Sequence, residues 1–237
     1  MDKGERLKRE GSEKMKEQGK KGLAAGAVLI LGFILWTVLI MKVDVKPLGV
    51  NGTDIGFSAV NTWFHKLTGE HELLYRITDW LGLVPIVICV GFGIFGLAQM
   101  FRRRSLLKVD HDIIMLGVYY IAVILFYLIF EKITINYRPT LFDGQESSYP
   151  SSTTLLVLSV MPTLKLQTDR RSGNPTVKKI TTAFVILFSA FMVIGRLVAG
   201  VHWLTDIIGA VLLSAGLYLV YRSCVIIADR KKAENNP

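Results

Sequence analysis

Apolar residues come in long unbroken runs along this chain, and the polar residues gather between them. Gly22 to Met41 is 20 residues without a charge, and Trp80 to Phe101 is 22. Each reaches the roughly 18 to 20 residues that cross a bilayer as a helix. Ile113 to Phe130 is a third uncharged run, stopped by Glu131 and Lys132. Three further segments share this character with polar interruptions. Pro150 to about Leu166 opens on a proline suited to a first helical position. Ile180 to Val201 is apolar except for Arg196, and His202 to Ala228 except for Asp206 near its start and Arg222 near its end. The pattern predicts an all-α fold, a polytopic membrane protein built as a bundle of six transmembrane helices. That domain spans residues 22–228, between charged tails 1–21 and 229–237. Within the polar stretch Lys42 to Asp79, Phe57 to Leu67 has helical spacing and predicts an interfacial helix in the loop 42–79.

Composition agrees. The 237 residues are 51% hydrophobic with a mean hydropathy of +0.42, yet the net charge is +9. Charge segregated in this way excludes a soluble enzyme, a disordered chain and a secreted disulfide scaffold. Cys89 and Cys224 lie in or beside apolar runs and read as small buried hydrophobes rather than metal ligands. The first 21 residues hold 13 charged ones, and no small-residue cleavage site follows the first apolar run, which reads as a retained anchor.

Lysine and arginine set the orientation. With six spans, both termini share a side with the loops around 102–112 and 165–179. That side carries 21 of the 28 basic residues and is expected to be cytoplasmic in the cell membrane. The topology accounts for the positive charge, and the basic residues have no aromatic interleaving, so nucleic acid is set aside as a partner.

Seven basic residues remain on the other side, and three of them are not loose in loops. Lys132 and Arg138 follow the third span, and Arg196 lies inside the fifth, where a charge is costly without a partner or a watery cavity. Arg196 is followed after five residues by His202, and His202 after three by Asp206. On one helix His202 and Asp206 share a face one turn apart. Asp206 is then expected to accept a hydrogen bond from one imidazole nitrogen and leave the other basic and aimed. Ahead of the fourth span, Ser151 and Ser152 after Pro150 put hydroxyls and free backbone N–H groups at a helix start, a ready anion site. Two arginines, a lysine and a helix N-terminus converging on an imidazole suggest a phosphoryl group, whose oxygens match the guanidinium fork.

The order Lys132, Arg138-Pro139, then Pro150-Ser151, then Arg196, His202 and Asp206 resembles the type 2 phosphatidic acid phosphatase superfamily, over roughly residues 45 to 220. These are integral-membrane lipid phosphate phosphatases. The resemblance implies Arg138 and Arg196 as phosphate ligands with Lys132, His202 as nucleophile, Asp206 as its orienter and Ser151 as the phosphate-binding serine. The chain departs from the family pattern in three places. Five residues rather than six separate Lys132 from Arg138, Gly195 stands where the family has serine, and the second motif reads Pro150-Ser151-Ser152-Thr153. Thr153 occupies the place of the family's general-acid histidine.

The implied function is hydrolysis of a phosphorylated membrane lipid at the outer face through a phosphohistidine on His202. No cofactor or metal is called for, since fixed cations neutralise the developing charge. With Thr153 in the acid's place, a lipid diphosphate, such as a prenyl diphosphate, is favoured over a monoester. Tyr149, Asp143, Glu146, His65 and His71 are outer-side candidates for a replacement acid. A catalytically silent relative that binds or moves a lipid phosphate is the alternative, as is a lipid phosphotransferase. Oligomeric state is left open.

Overall fold

A helix enclosed by other helices need not be apolar, and the centre of this protein shows it. The structure is a computed structural model that describes residues 3–49, 52–140, 142, 144 and 147–235. Its elements are α1 (Lys3–Ile40), α2 (Ser58–Thr68), α3 (Glu72–Leu81), α4 (Leu83–Arg103), α5 (His111–Lys132), α6 (Ser152–Arg171), α7 (Pro175–Val198) and α8 (Leu204–Asn235). No strand occurs among the described residues. Helix α6 runs through the middle, packed on α4, α5, α7 and α8. Several of its polar groups meet partners on those neighbours. The Tyr119 hydroxyl donates to the Ser159 carbonyl at 3.0 Å, Tyr120 meets the Thr163 hydroxyl at 2.6 Å, and Gln167 donates to Tyr221 at 3.0 Å.

Five helical stretches are long and apolar enough to cross a membrane: 9–40, 72–103, 111–132, 175–198 and 204–234. Exposed Leu, Ile, Val and Phe side chains cover their outer faces, among them Leu31, Val87, Ile94, Ile121 and Leu187. Surfaces of that kind suit lipid, where every backbone polar group is satisfied within its helix. The sixth expected span, 150–166, corresponds to α6. It is not among those five, its apolar run being broken by Ser, Thr and Gln side chains and by charged residues near its end.

Three boundaries differ from the sequence reading. The charged residues 3–21 are not a separate tail but the first turns of α1, and α8 likewise continues past 228. These two long helices pack side by side, and Ser12 donates to Glu234 at 2.6 Å. Close backbone approach makes this possible. A Cβ on Gly26 would lie 2.9 Å from the Gly216 carbonyl, and one on Gly216 would lie 3.1 Å from the Gly26 carbonyl, a small-residue contact of the kind that joins membrane helices. Gly216→Leu is therefore expected to destabilise the protein by about 1–3 kcal/mol, the usual cost of overpacking. A thermal-unfolding scan in detergent checks it. Third, the 42–79 region holds a second helix beyond α2. Helix α3 leads through Gly82 directly into α4 and packs on α7.

The two ends of the bundle have different chemistry. At one end, Arg170 and Arg171 grip Asp112 of α5 at 2.9 and 2.8 Å, and Arg170 also holds Asp229 of α8 at 2.7 Å. At the other end lie residues 133–140 and 147–151, the α7–α8 turn and α3, and these carry the candidate site.

Candidate active site

The chain leaves α7 at Val198 and enters α8 at Leu204, so His202 sits in a tight turn outside both helices. Gly200 makes that turn with a φ of 76°, pressed against the α2–α3 junction, where a Cβ would come within 2.4 Å of the Gly69 carbonyl. The His71 N–H donates to the Ala199 carbonyl at 3.1 Å and fastens the turn to the start of α3.

Around this turn Arg196, His202 and Asp206 are all buried, Arg196 being 1% exposed. A guanidinium so deeply buried demands partners, and it has them. One amino nitrogen, Nη2, lies 3.4 Å from His202 Nε2, and the other, Nη1, lies 3.7 Å from Asp79 Oδ1 of α3. The Tyr75 ring lies beneath it, with its centroid 5.0 Å from the guanidinium carbon. Arg138 shares the same platform. Its guanidinium carbon is 5.9 Å from the Tyr75 centroid, and its Nη1 donates to the Tyr75 hydroxyl at 3.4 Å. Both arginines thus rest on one ring, a cation–π arrangement that gains strength as it is desolvated.

The expected direct hydrogen bond between His202 and Asp206 is absent. Their closest atoms, Nδ1 and Oδ2, are 3.8 Å apart, beyond hydrogen-bond reach. His202 precedes α8 instead of belonging to it, so the helical four-residue spacing does not apply. Nδ1 instead faces the Ser148 carbonyl at 3.1 Å and the Ser148 hydroxyl at 3.3 Å. The Ser148 hydroxyl in turn donates to Asp206 Oδ2 through a short hydrogen bond. Asp206 Oδ2 also accepts the Trp203 N–H at 2.8 Å, one half of a capping box at the start of α8. Its other oxygen accepts from Asn136 at 3.3 Å. Asp206 thus acts on the imidazole through Ser148 while tying Asn136 and Ser148 to α8.

This arrangement fixes the tautomer. A proton on Nδ1 donates to the Ser148 carbonyl, which leaves the Nε2 lone pair facing Arg196. Burial, and after it the positive charges of Arg196 and Arg138, hold the His202 imidazole well below the usual histidine range. The imidazolium form is disfavoured, so the neutral form persists to lower pH than an ordinary histidine near 6.5 would allow. The acid limb of kcat/KM, which reports groups of the free enzyme, is therefore expected below pH ~6.5. Arg196→Gln removes one of those positive charges and should move the limb upward. A pH–rate profile of both proteins checks the direction.

The other residues singled out in the sequence divide. The backbone N–H of Ser151 donates to the Asp206 carbonyl at 3.3 Å, which docks the start of α6 onto α8. The Ser151 hydroxyl caps α6, accepting the Thr154 N–H at 3.4 Å. Ser152 lines a small cavity with Tyr127, Glu131 and Ser147. Lys132 stays outside the cluster. It is exposed at the last turn of α5 and makes no hydrogen bond or ion pair with the cluster among the described residues. Thr153 lies against the α3–α4 joint, its methyl 3.6 Å from where a Cβ on Gly82 would be.

The replacement-acid candidates among the described residues have partners of their own. Tyr149 is buried, its phenol is pushed up by burial, and its hydroxyl meets Thr37 of α1 at 2.7 Å. His65 lies 3.2 Å from Glu70, and His71 lies 2.9 Å from the Thr68 carbonyl. Asp143 and Glu146 lie outside the described residues. Sequence reasoning missed Ser148, Asn136, Tyr75 and Asp79. Only Ser148 carried a local signal, three residues before the Ser151 cap. No group of three or more His, Cys, Asp or Glu placed to hold a metal ion occurs among the described residues.

Residues 113–228, which hold every member of the cluster except Tyr75 and Asp79, match the PAP2 superfamily. That stretch belongs to the superfamily. No curated protein matches it. Among solved structures it is similar to the first transmembrane PAP2-type phosphatidylglycerolphosphate phosphatase from Bacillus subtilis. That likeness has 16% identity and a TM-score of 0.61, and covers 86% of this chain and 96% of the other. At that identity the likeness is one of fold. It extends through the PAP2 bundle to the helices on its N-terminal side, since it covers far more than 113–228.

Proposed function

We propose that this PAP2 protein is a membrane lipid phosphatase that transfers the phosphoryl group to His202 Nε2 and then to water. The observation that carries this reading is that two guanidinium groups share one ring beside an oriented imidazole, with Arg196 at its Nε2 lone pair. A phosphate drawn between Arg138 and Arg196 would displace the Arg196–His202 contact and meet Nε2. Binding alone would need the arginines but not a tautomer fixed by Ser148. The topology that goes with this reading is six spans, both termini cytoplasmic and the site facing outside, consistent with the concentration of basic residues on the other side.

The substrate class follows from Thr153. Cleaving a monoester such as phosphatidate expels an alkoxide, whose conjugate acid is about as weak as water. A positioned proton donor is worth on the order of a hundred- to ten-thousand-fold there. A lipid diphosphate instead expels a lipid monophosphate, comparable to a phosphorylated side chain with a second pKa of about 6. That group leaves near neutral pH with little help, so prenyl diphosphates are the preferred substrates. Release of inorganic phosphate across a panel of lipid mono- and diphosphates tests this. At saturating substrate the wild type should turn over a prenyl diphosphate faster than phosphatidate, and Thr153→His should raise the monoester rate more. Equal or faster wild-type turnover of phosphatidate would refute the preference.

A further inference from the structure

We infer that Asp79 is the base that activates water in the second half of the reaction, the hydrolysis of the phosphohistidine. This rests on the phosphatase reading above. It starts from a gap in that reading, since a lipid monophosphate can leave without an acid but the water that follows still needs a proton acceptor. Thr153 is a poor one, and of the candidates among the described residues Tyr149, His65 and His71 pair with Thr37, Glu70 and the Thr68 carbonyl.

Asp79 is in the right place. It lies in the last turn of α3, and its carboxylate pairs with Arg196 Nη1 while the other amino nitrogen of the same guanidinium contacts His202 Nε2. One planar group therefore carries the nucleophile at one end and a carboxylate at the other, and a phosphoryl group bound by that fork lies between them. Asp79 also stands on the side of the site that Thr153 occupies. A Cβ on Gly82 would lie 2.9 Å from the Asp79 carbonyl and 3.6 Å from the Thr153 methyl, so the α3 end and the start of α6 adjoin. Finally, it lies nearer the surface than the groups it would serve. The Asp79 side chain is 56% exposed whereas that of Arg196 is 1% exposed, so the carboxylate sits at the edge of a buried site.

The step balances. A water oxygen attacks phosphorus as its proton passes to an Asp79 carboxylate oxygen. The P–N bond breaks and its electron pair returns to Nε2, which regenerates the neutral imidazole with its proton still on Nδ1. Inorganic phosphate departs, and Asp79 returns its proton to solvent. Arg196 neutralises charge on the phosphoryl oxygens throughout.

The test uses the full-length protein in detergent with farnesyl diphosphate labelled on its terminal phosphorus. Wild type, Asp79→Asn, Asp79→Glu and His202→Ala are compared by rapid mixing and alkaline quench, which preserves a P–N bond. Asp79→Asn should release about one farnesyl monophosphate per protein at the wild-type initial rate, then stall. Labelled protein accumulates and steady-state turnover falls about a hundredfold, the typical worth of a positioned base. Asp79→Glu should recover part of the steady-state rate. An Asp79→Asn protein with wild-type turnover and no labelled intermediate overturns the inference, and so does a change confined to KM, which would make Asp79 only a competitor for Arg196. Loss of the initial burst also overturns it, by placing Asp79 in the first step. Turnover that survives His202→Ala sinks the phosphohistidine reading itself, a result separable from all of these.

Discussion

Replacing His202 by alanine is expected to cut turnover by roughly ten-thousand-fold or more, because the alternative nucleophile is unassisted water. Removing the nucleophile of a comparable covalent mechanism abolishes nearly all chemical acceleration beyond binding. The protein should remain folded and inserted. The imidazole contributes one contact to the Ser148 carbonyl and one to Arg196, while the turn around it is held by Gly200, the Trp203–Asp206 cap and the Ala199–His71 hydrogen bond. Phosphate release and a thermal scan on the same preparation measure both halves. Activity within about tenfold of wild type, about 1.4 kcal/mol of barrier, would remove the nucleophile assignment.

Arg196→Lys is expected to have the next largest effect, lowering kcat/KM by about a hundred- to a thousandfold, the range for loss of one preorganised charge-stabilising donor. The reason is geometric. Arg196 reaches His202 with one nitrogen and Asp79 with the other while its plane lies over Tyr75. An ammonium is a point charge that satisfies one of these demands at a time. Arg138→Lys should act in the same direction, since Arg138 also combines a ring contact with a donated hydrogen bond to Tyr75. Kinetics unaltered in both variants would reduce the two arginines to packing residues.

What the amino-acid order determined was the membrane character and the motif chemistry. Apolar runs long enough to span a bilayer are local in sequence, and so is the spacing of Arg196, His202 and Asp206 around one turn. Local signals failed where a neighbour decides the outcome. The polar stripe of α6 weakened it as a span because its partners Tyr119, Tyr120 and Tyr221 come from α5 and α8. The charged start of α1 looked like a loose tail because its continuation beside α8 rests on glycine contacts nearly 200 residues apart in the chain.

The site follows the same division. Nothing in the four-residue spacing of His202 and Asp206 shows that Ser148 stands between them, 54 residues before the histidine. Nor does any pattern in residues 72–81 announce that α3 will carry Tyr75 and Asp79 to the arginines. Buried charges must find partners wherever the fold supplies them, so the types of residue at the site could be read from the chain, but the routing of its protons was decided by packing.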